Sequence, residues 1–128
     1  MRRQIVSTDN APKAIGPYSQ AVMVEAARLV FCSGQIPIDP ATGDLVEGDI
    51  RKQAEQVLRN LNAVLEAAGS SLERSIKITI YLKNMEDYAV FNSVYAEFFK
   101  SDPPARAVIG TAQLPKDALV EMDAIATV

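Results

Sequence analysis

Two charged residues are set apart by their surroundings. Arg106 closes the stretch Pro103-Pro104-Ala105-Arg106 and opens a short apolar run, and Glu121 interrupts a second apolar run between Val120 and Met122. The guanidinium of Arg106, on backbone that the prolines keep extended, presents paired donors suited to a carboxylate or phosphate. A glutamate among apolar neighbours is a candidate for positioning a water or moving a proton, because desolvation raises the pKa of a carboxyl in such a setting. Each residue also has a plain structural alternative: for Arg106 an ion pair with one of sixteen acidic residues, for Glu121 a place on a solvated sheet face. Asp123, on the same face of the same strand, is an equal candidate by pattern. The chain has no histidine, which removes the commonest general base and most zinc and activated-serine arrangements.

Two further segments carry candidate groups. Ala14-Ile15-Gly16-Pro17-Tyr18-Ser19-Gln20 is stiff and turn-prone, and its Tyr18 can cap a pocket with its ring and donate through its hydroxyl, or pack on the sheet. Ser33-Gly34-Gln35 ends a strand, where Gly34 permits close approach of another group to the backbone. Ser33 is not read as a nucleophile, since it lacks both a histidine and the Gly-x-Ser-x-Gly elbow. Cys32, the single cysteine, lies between Phe31 and Ser33 and reads as a buried, inert thiol. Phosphate-loop, dinucleotide and EF-hand patterns are missing, and no metal or cofactor is expected.

Composition bounds the rest. A chain of 128 residues with 48% apolar and 23% charged residues reads as one domain over 1–128, with a core of its own. Arg2 and Arg3 are not followed by an apolar block, so an export signal is not read there, and one unpaired cysteine suits the cytoplasm. The net charge is −3 and the basic residues are dispersed, which argues against nucleic acid as a partner. No run approaches the ~18 apolar residues of a membrane span.

The elements that must position these residues follow from periodicity. Ile50, Ala54, Val57, Leu58, Leu61, Val64, Leu65 and Ala68 recur at gaps of three and four, predicting a helix over Asp49 to Ala68 that Gly69 stops. A second helix is predicted from about Met85 to Phe99, with Asn84 as its N-cap and Tyr88, Phe91, Val94, Tyr95, Phe98 and Phe99 on its buried side. Ile76 to Lys83 alternates with a period of two, and Ala21–Ala26, Leu29–Ser33, Ala107–Gln113 and Leu119–Thr127 read as further strands, with a short one near Gln4 to Val6. The break at Ala27-Arg28 is short enough for a hairpin.

Two helices cover only one face of such a sheet, and the last strand is half apolar on its other face. That pattern predicts oligomerisation. In a simple hairpin of the last two strands, turning about Lys116, Glu121 would lie roughly 15–17 Å along from Arg106. Either the strands are not simple neighbours or the site combines two subunits.

The whole pattern resembles the RidA (YjgF-type) family of enamine/imine deaminases, nearly end to end. The matching residues are Gly16-Pro17-Tyr18-Ser19-Gln20, Ser33-Gly34-Gln35 with the Asp39-to-Gly43 turn, Asn92 with Tyr95, Phe98 and Phe99, and Pro104-Ala105-Arg106 through Leu114-Pro115-Lys116 to Val120-Glu121-Met122. The resemblance implies a chorismate-mutase-like α/β (α+β) fold with about six strands in a mixed sheet, two helices on one face, and a homotrimer with clefts between subunits. It implies hydrolysis of 2-aminoacrylate/2-iminopropanoate-type intermediates, released by pyridoxal-phosphate-dependent dehydratases, to 2-oxo acids and ammonia. Arg106 would bind the substrate carboxylate and Glu121 would serve the attacking water. Tyr18, Ser33, Gly34 and Asn92 would line the pocket. Some members carry a cysteine two residues after the arginine; here the position is Val108, so only its backbone can serve. A small-carboxylate-binding regulatory module without turnover is the alternative, and an RNA-cleaving role fits poorly with the acidic, histidine-free composition.

Overall fold

Strict alternation sets the sheet. In Ser75–Leu82 (β4), Ile78, Ile80 and Leu82 are fully buried while the residues between them are not; in Val120–Thr127 (β6), Val120, Met122, Ala124 and Ala126 repeat the pattern. These side chains form the floor of one core. The computed structural model describes residues 2–128, and its other elements are β1 (Arg2–Val6), β2 (Ala21–Glu25), β3 (Leu29–Gln35), α1 (Ile50–Ala67), α2 (Tyr88–Phe98) and β5 (Ala105–Gly110).

Both helices lie over that floor, as predicted. α1 contributes Ile50, Ala54, Val57, Leu58, Leu61 and Leu65, and α2 contributes Phe91, Val94 and Tyr95. Asp49 caps α1 by accepting from the Lys52 N–H at 3.2 Å. Gly69, at φ 84°, closes it, with the Ser70 N–H returning to the Leu65 carbonyl at 2.8 Å. The second helix begins later than its periodicity suggested. Met85–Asp87 forms a 3-10 turn, and Asn84 receives the Asp87 N–H on its backbone carbonyl rather than capping with its side chain. No helix among the described residues is long and apolar enough to cross a membrane.

The six strands divide into an antiparallel ribbon, β1-β2, and a mixed four-stranded sheet of order β3-β6-β4-β5. β3 and β4 flank β6 antiparallel, and β5 runs parallel to β4 because α2 carries the chain across between them. One expectation is corrected here, and of the alternatives left open for the last two strands, non-adjacency holds. β2 and β3 do not form a hairpin: a tight one needs positive φ in its turn, and no residue of the connection 26–28 adopts it. β5 and β6 are not neighbours, because β4 lies between them. Their connection steps over the end of β4, bonding the Thr111 N–H to the Leu82 carbonyl and the Lys83 N–H to the Leu119 carbonyl. Lys116 and Asp117 turn it at φ 55° and 59°, and Lys83 Nζ holds Asp117 Oδ1 at 2.6 Å.

Arg3 ties the ribbon to the sheet. Its Nη1 donates to the carbonyls of Glu73 (3.0 Å) and Ser75 (3.1 Å), and its Nη2 to that of Asp102 (2.7 Å). The sheet face away from the helices carries Leu29, Phe31, Ile109 and Ile125 beside Thr79, Tyr81, Glu121 and Asp123. Phe31 is 71% and Ile109 45% exposed, so the half-apolar second face expected from the sequence is present. Removing the α1 cap with Asp49→Ala should cost about 1 kcal/mol, lowering Tm by about 3–5 °C at matched protein concentration; a calorimetric Tm equal to that of the native chain would contradict the capping role.

Candidate functional site

Arg106 lies on the sheet edge, in register with the buried Ile78, so its side chain rises on the helix side. The segment before it is fastened at two points. Ser19 Oγ donates to the Pro103 carbonyl at 2.5 Å, and the Ser19 N–H to that of Pro104 at 3.3 Å. The same two bonds fix the loop bearing Tyr18. Gly16 completes the contact: a Cβ there would stand 3.3 Å from Arg106 Nη2.

Three tyrosine rings surround the guanidinium. Its Cζ lies 5.2 Å from the ring centre of Tyr18, 5.9 Å from Tyr88 and 5.0 Å from Tyr95, within cation–π range. Nη2 donates to the Tyr88 hydroxyl at 3.3 Å, whereas Nη1 is buried without a hydrogen-bond partner in the chain. Asn92 Oδ1 and the Tyr95 hydroxyl are buried and unpartnered as well. Tyr88, Asn92 and Tyr95 fall at i, i+4 and i+7 of α2 and so share one stripe. Burial pushes the Tyr95 phenol well above its ordinary range, against the opposing pull of the Arg106 charge, so it stays protonated. Each unsatisfied buried group costs about 1–3 kcal/mol. Of the three, Arg106 Nη1 and the Tyr95 hydroxyl are donors, and Asn92 Oδ1 is an acceptor.

Glu121 belongs to the other face. It pairs with Tyr81 in a strand whose Val120 and Met122 point beneath the helices. Its carboxylate lies across Gly34, where a Cβ would collide with Oε2 and stand 3.1 Å from Cδ. The β3–β6 register shifts between Cys32 and Gln35, which lets the Ser33-Gly34 backbone pass close to that carboxylate. Asp123, its equal in the sequence pattern, is engaged: Tyr81 donates its hydroxyl to Asp123 Oδ2 at 3.1 Å. Burial and the Asp123 hydrogen bond both raise the Tyr81 phenol.

The residues singled out in the sequence therefore fall into two groups. Tyr18, Asn92 and Arg106 gather on the helix side, and Ser33, Gly34 and Glu121 on the open side. Two strand spacings and three residues of β4, from Ile78 to Tyr81, separate the Arg106 and Glu121 positions by roughly 14 Å. The sheet itself stands between their side chains. Val108, opposite Ile80, packs against the core. Cys32 is buried, and desolvation raises its thiol, in keeping with an inert core residue. A cleft of about 570 Å³ lined by Arg3, Glu73, Lys100 and Asp102 lies elsewhere; Arg3 Nη1 and Nη2 donate to carbonyls there, and its Nε is buried without a partner.

Tyr88 was read from the sequence only as a core aromatic. A hydroxyl-bearing ring one turn from Asn92 and two turns from Tyr95, on one stripe, was the signal available. The partner it required, Arg106, is eighteen residues away and reaches it only through the β4-α2-β5 crossover.

Two helices on a mixed sheet define an α+β protein, and Arg106 lies at the edge of that sheet among three tyrosine rings. Residues 8–128 match the family model described as endoribonuclease L-PSP, and the chain belongs to that family, also called YjgF/RidA. It is 54% identical over 124 residues to a RutC family protein of Pyrococcus horikoshii, covering 97% of each chain. It is 44% identical to the human 2-iminobutanoate/2-iminopropanoate deaminase over 124 residues, covering 97% of this chain and 89% of that one. The crystal structure of Escherichia coli TdcF with bound serine superposes with a TM-score of 0.75 at 40% identity, covering 98% of both chains.

The packing of Glu121 over Gly34 can be checked directly. Gly34→Ala should turn the carboxylate away from the strand at a cost below about 1 kcal/mol, since only the end of a flexible side chain must yield. A crystal structure of the variant with the Glu121 rotamer unchanged would refute the contact.

Proposed function

We propose that this protein is a hydrolase of reactive enamine and imine intermediates of the 2-aminoacrylate/2-iminopropanoate type, producing 2-oxo acids and ammonia. The observation that carries the reading is the Arg106 guanidinium, ringed by tyrosines and with a buried Nη1 left unpaired. A small α-carboxylate satisfies it, with Tyr18, Ser33, Gly34, Asn92 and the Val108 backbone shaping the remaining pocket. The name of the human relative, at 44% identity, supports the reaction class.

The chemistry asks little of the chain beyond placement. An enamine gains a proton at its β-carbon to become the iminium, whose carbon is already electrophilic. Glu121 holds a water against that carbon and takes a proton as the C–O bond forms. Glu121 returns that proton to the nitrogen of the resulting carbinolamine, which leaves as ammonia as the C–N bond breaks, and the hydroxyl gives up its proton as the carbonyl of the 2-oxo acid forms. No covalent nucleophile is needed. Pyridoxal-phosphate-dependent dehydratases are the class of enzyme that releases such substrates.

Because Arg106 and Glu121 face opposite sides of one sheet, the working site joins the arginine of one copy to the glutamate of another. The exposed Phe31 and Ile109 belong to the face that such packing would cover. The family resemblance supports a homotrimer, with three equivalent sites between neighbours.

A second reading is a module that binds small carboxylates without turning them over. The amino acid in the TdcF structure favours it. Glu121→Gln discriminates the two, since an enzyme would lose turnover and keep ligand binding. RNA cleavage, suggested by the family's description, draws no support from a histidine-free chain of net charge −3.

In an assay coupled to a pyridoxal-phosphate-dependent dehydratase, Arg106→Ala and Arg106→Lys should return ammonia release to its spontaneous rate with the oligomer intact by light scattering. Acceleration by Arg106→Lys equal to that of the native protein would overturn the assignment.

A further inference from the structure

We propose that Tyr88 is a second anion donor in the carboxylate subsite, acting with Arg106 to select a carboxylate over a neutral carbonyl group. The inference rests on the carboxylate-binding role proposed above for Arg106.

The geometry gives Tyr88 a role distinct from those of the other two phenols. Its oxygen accepts from Arg106 Nη2 at 3.3 Å. A phenol has one proton to donate, and accepting from a cation polarises that O–H and makes it a stronger donor. Because the oxygen accepts from Nη2, its own proton is directed to a different partner. The Tyr18 hydroxyl accepts from the Ile15 N–H at 3.3 Å and is drawn toward its own loop. The Tyr95 ring is fully buried between Phe91 and Phe99, with centroids at 5.6 and 4.5 Å, so its hydroxyl forms the floor of the site. Tyr88 alone combines a hydroxyl on the guanidinium with partial exposure to solvent.

The hydroxyl has little to do for the fold. Tyr88 packs its ring against the rim of the core, and a phenylalanine would do this equally well. A carboxylate oxygen instead uses what is present, meeting the Arg106 guanidinium on its Nη2 side together with the Tyr88 O–H. An amide in the same place would set its N–H groups against donors, leaving one of them unpaired.

The test is equilibrium binding of 2-oxobutanoate and of 2-oxobutanamide, by calorimetry at fixed ionic strength, to the native protein, Tyr88→Phe and Arg106→Ala. The native protein should prefer the acid. Tyr88→Phe should raise the Kd for the acid about ten-fold and change that for the amide less than two-fold, with KM for the imine rising in step with the acid. An acid Kd for Tyr88→Phe within two-fold of the native value, while Arg106→Ala abolishes binding, would overturn the role of Tyr88 and leave that of Arg106 standing. Failure of the native protein to bind 2-oxobutanoate would remove the carboxylate reading of Arg106, and this inference with it. Circular dichroism of Tyr88→Phe matching the native spectrum excludes a folding defect as the source of any loss.

Discussion

β4 is paired along both of its edges, parallel to β5 and antiparallel to β6, and this double pairing decides which face each polar side chain meets. On one side of the strand, Ile78, Ile80 and Leu82 lie under the helices, and the residues registered with them must share that side: Arg106 and Val108 on β5, Met122 and Ala124 on β6. On the other, Tyr81 brings Glu121 and Ile109 to the open face. A one-residue slip of β5 would turn Arg106 away from α2 and send its charge to the opposite surface. The anchors around β5 resist such a slip. Ser19 holds Pro103 and Pro104, Arg3 holds the Asp102 carbonyl, and the Thr111 N–H is bonded to the end of β4.

The surroundings of Arg106 show how a cation is kept receptive. A carboxylate beside it would neutralise the charge and occupy its donors; the chain instead surrounds it with the faces of three tyrosines and a single neutral hydroxyl. Aromatic faces offset part of the desolvation cost without taking up the N–H groups. The guanidinium is therefore held in direction by rings rather than by an ion pair. Across the sheet, Asp123 is bonded to Tyr81 while Glu121 lies on a glycine, so the two carboxylates that looked alike by pattern have different surroundings.

Much of this architecture was legible beforehand. The three- and four-residue spacing of α1, its Asp49 and Gly69 ends, the alternation of β4 and the apolar second face of β6 are local patterns, and local sterics and burial enforce them. The hairpin expected at Ala27-Arg28 and the capping side chain expected at Asn84 were less secure, because chain length and residue type permit several turns and only the competing partners choose among them. The importance of Tyr88 was hidden for a similar reason. A tyrosine on the apolar stripe of a helix has the same pattern whether it meets a leucine or a guanidinium.

By itself, the amino-acid sequence determined the α+β class, the positions of the helices and strands, and the reduction of the candidate chemistry to an arginine and a carboxylate in a chain without histidine. These depend on periodicity, on residue type, or on the mere absence of a group. Strand order was decided only in the tertiary structure, because either edge of β4 offers the same backbone donors and acceptors, and long-range packing selects the partner. The register on the two edges of β4 set Arg106 and Glu121 on opposite faces of one sheet, so no single chain can close a small site around both.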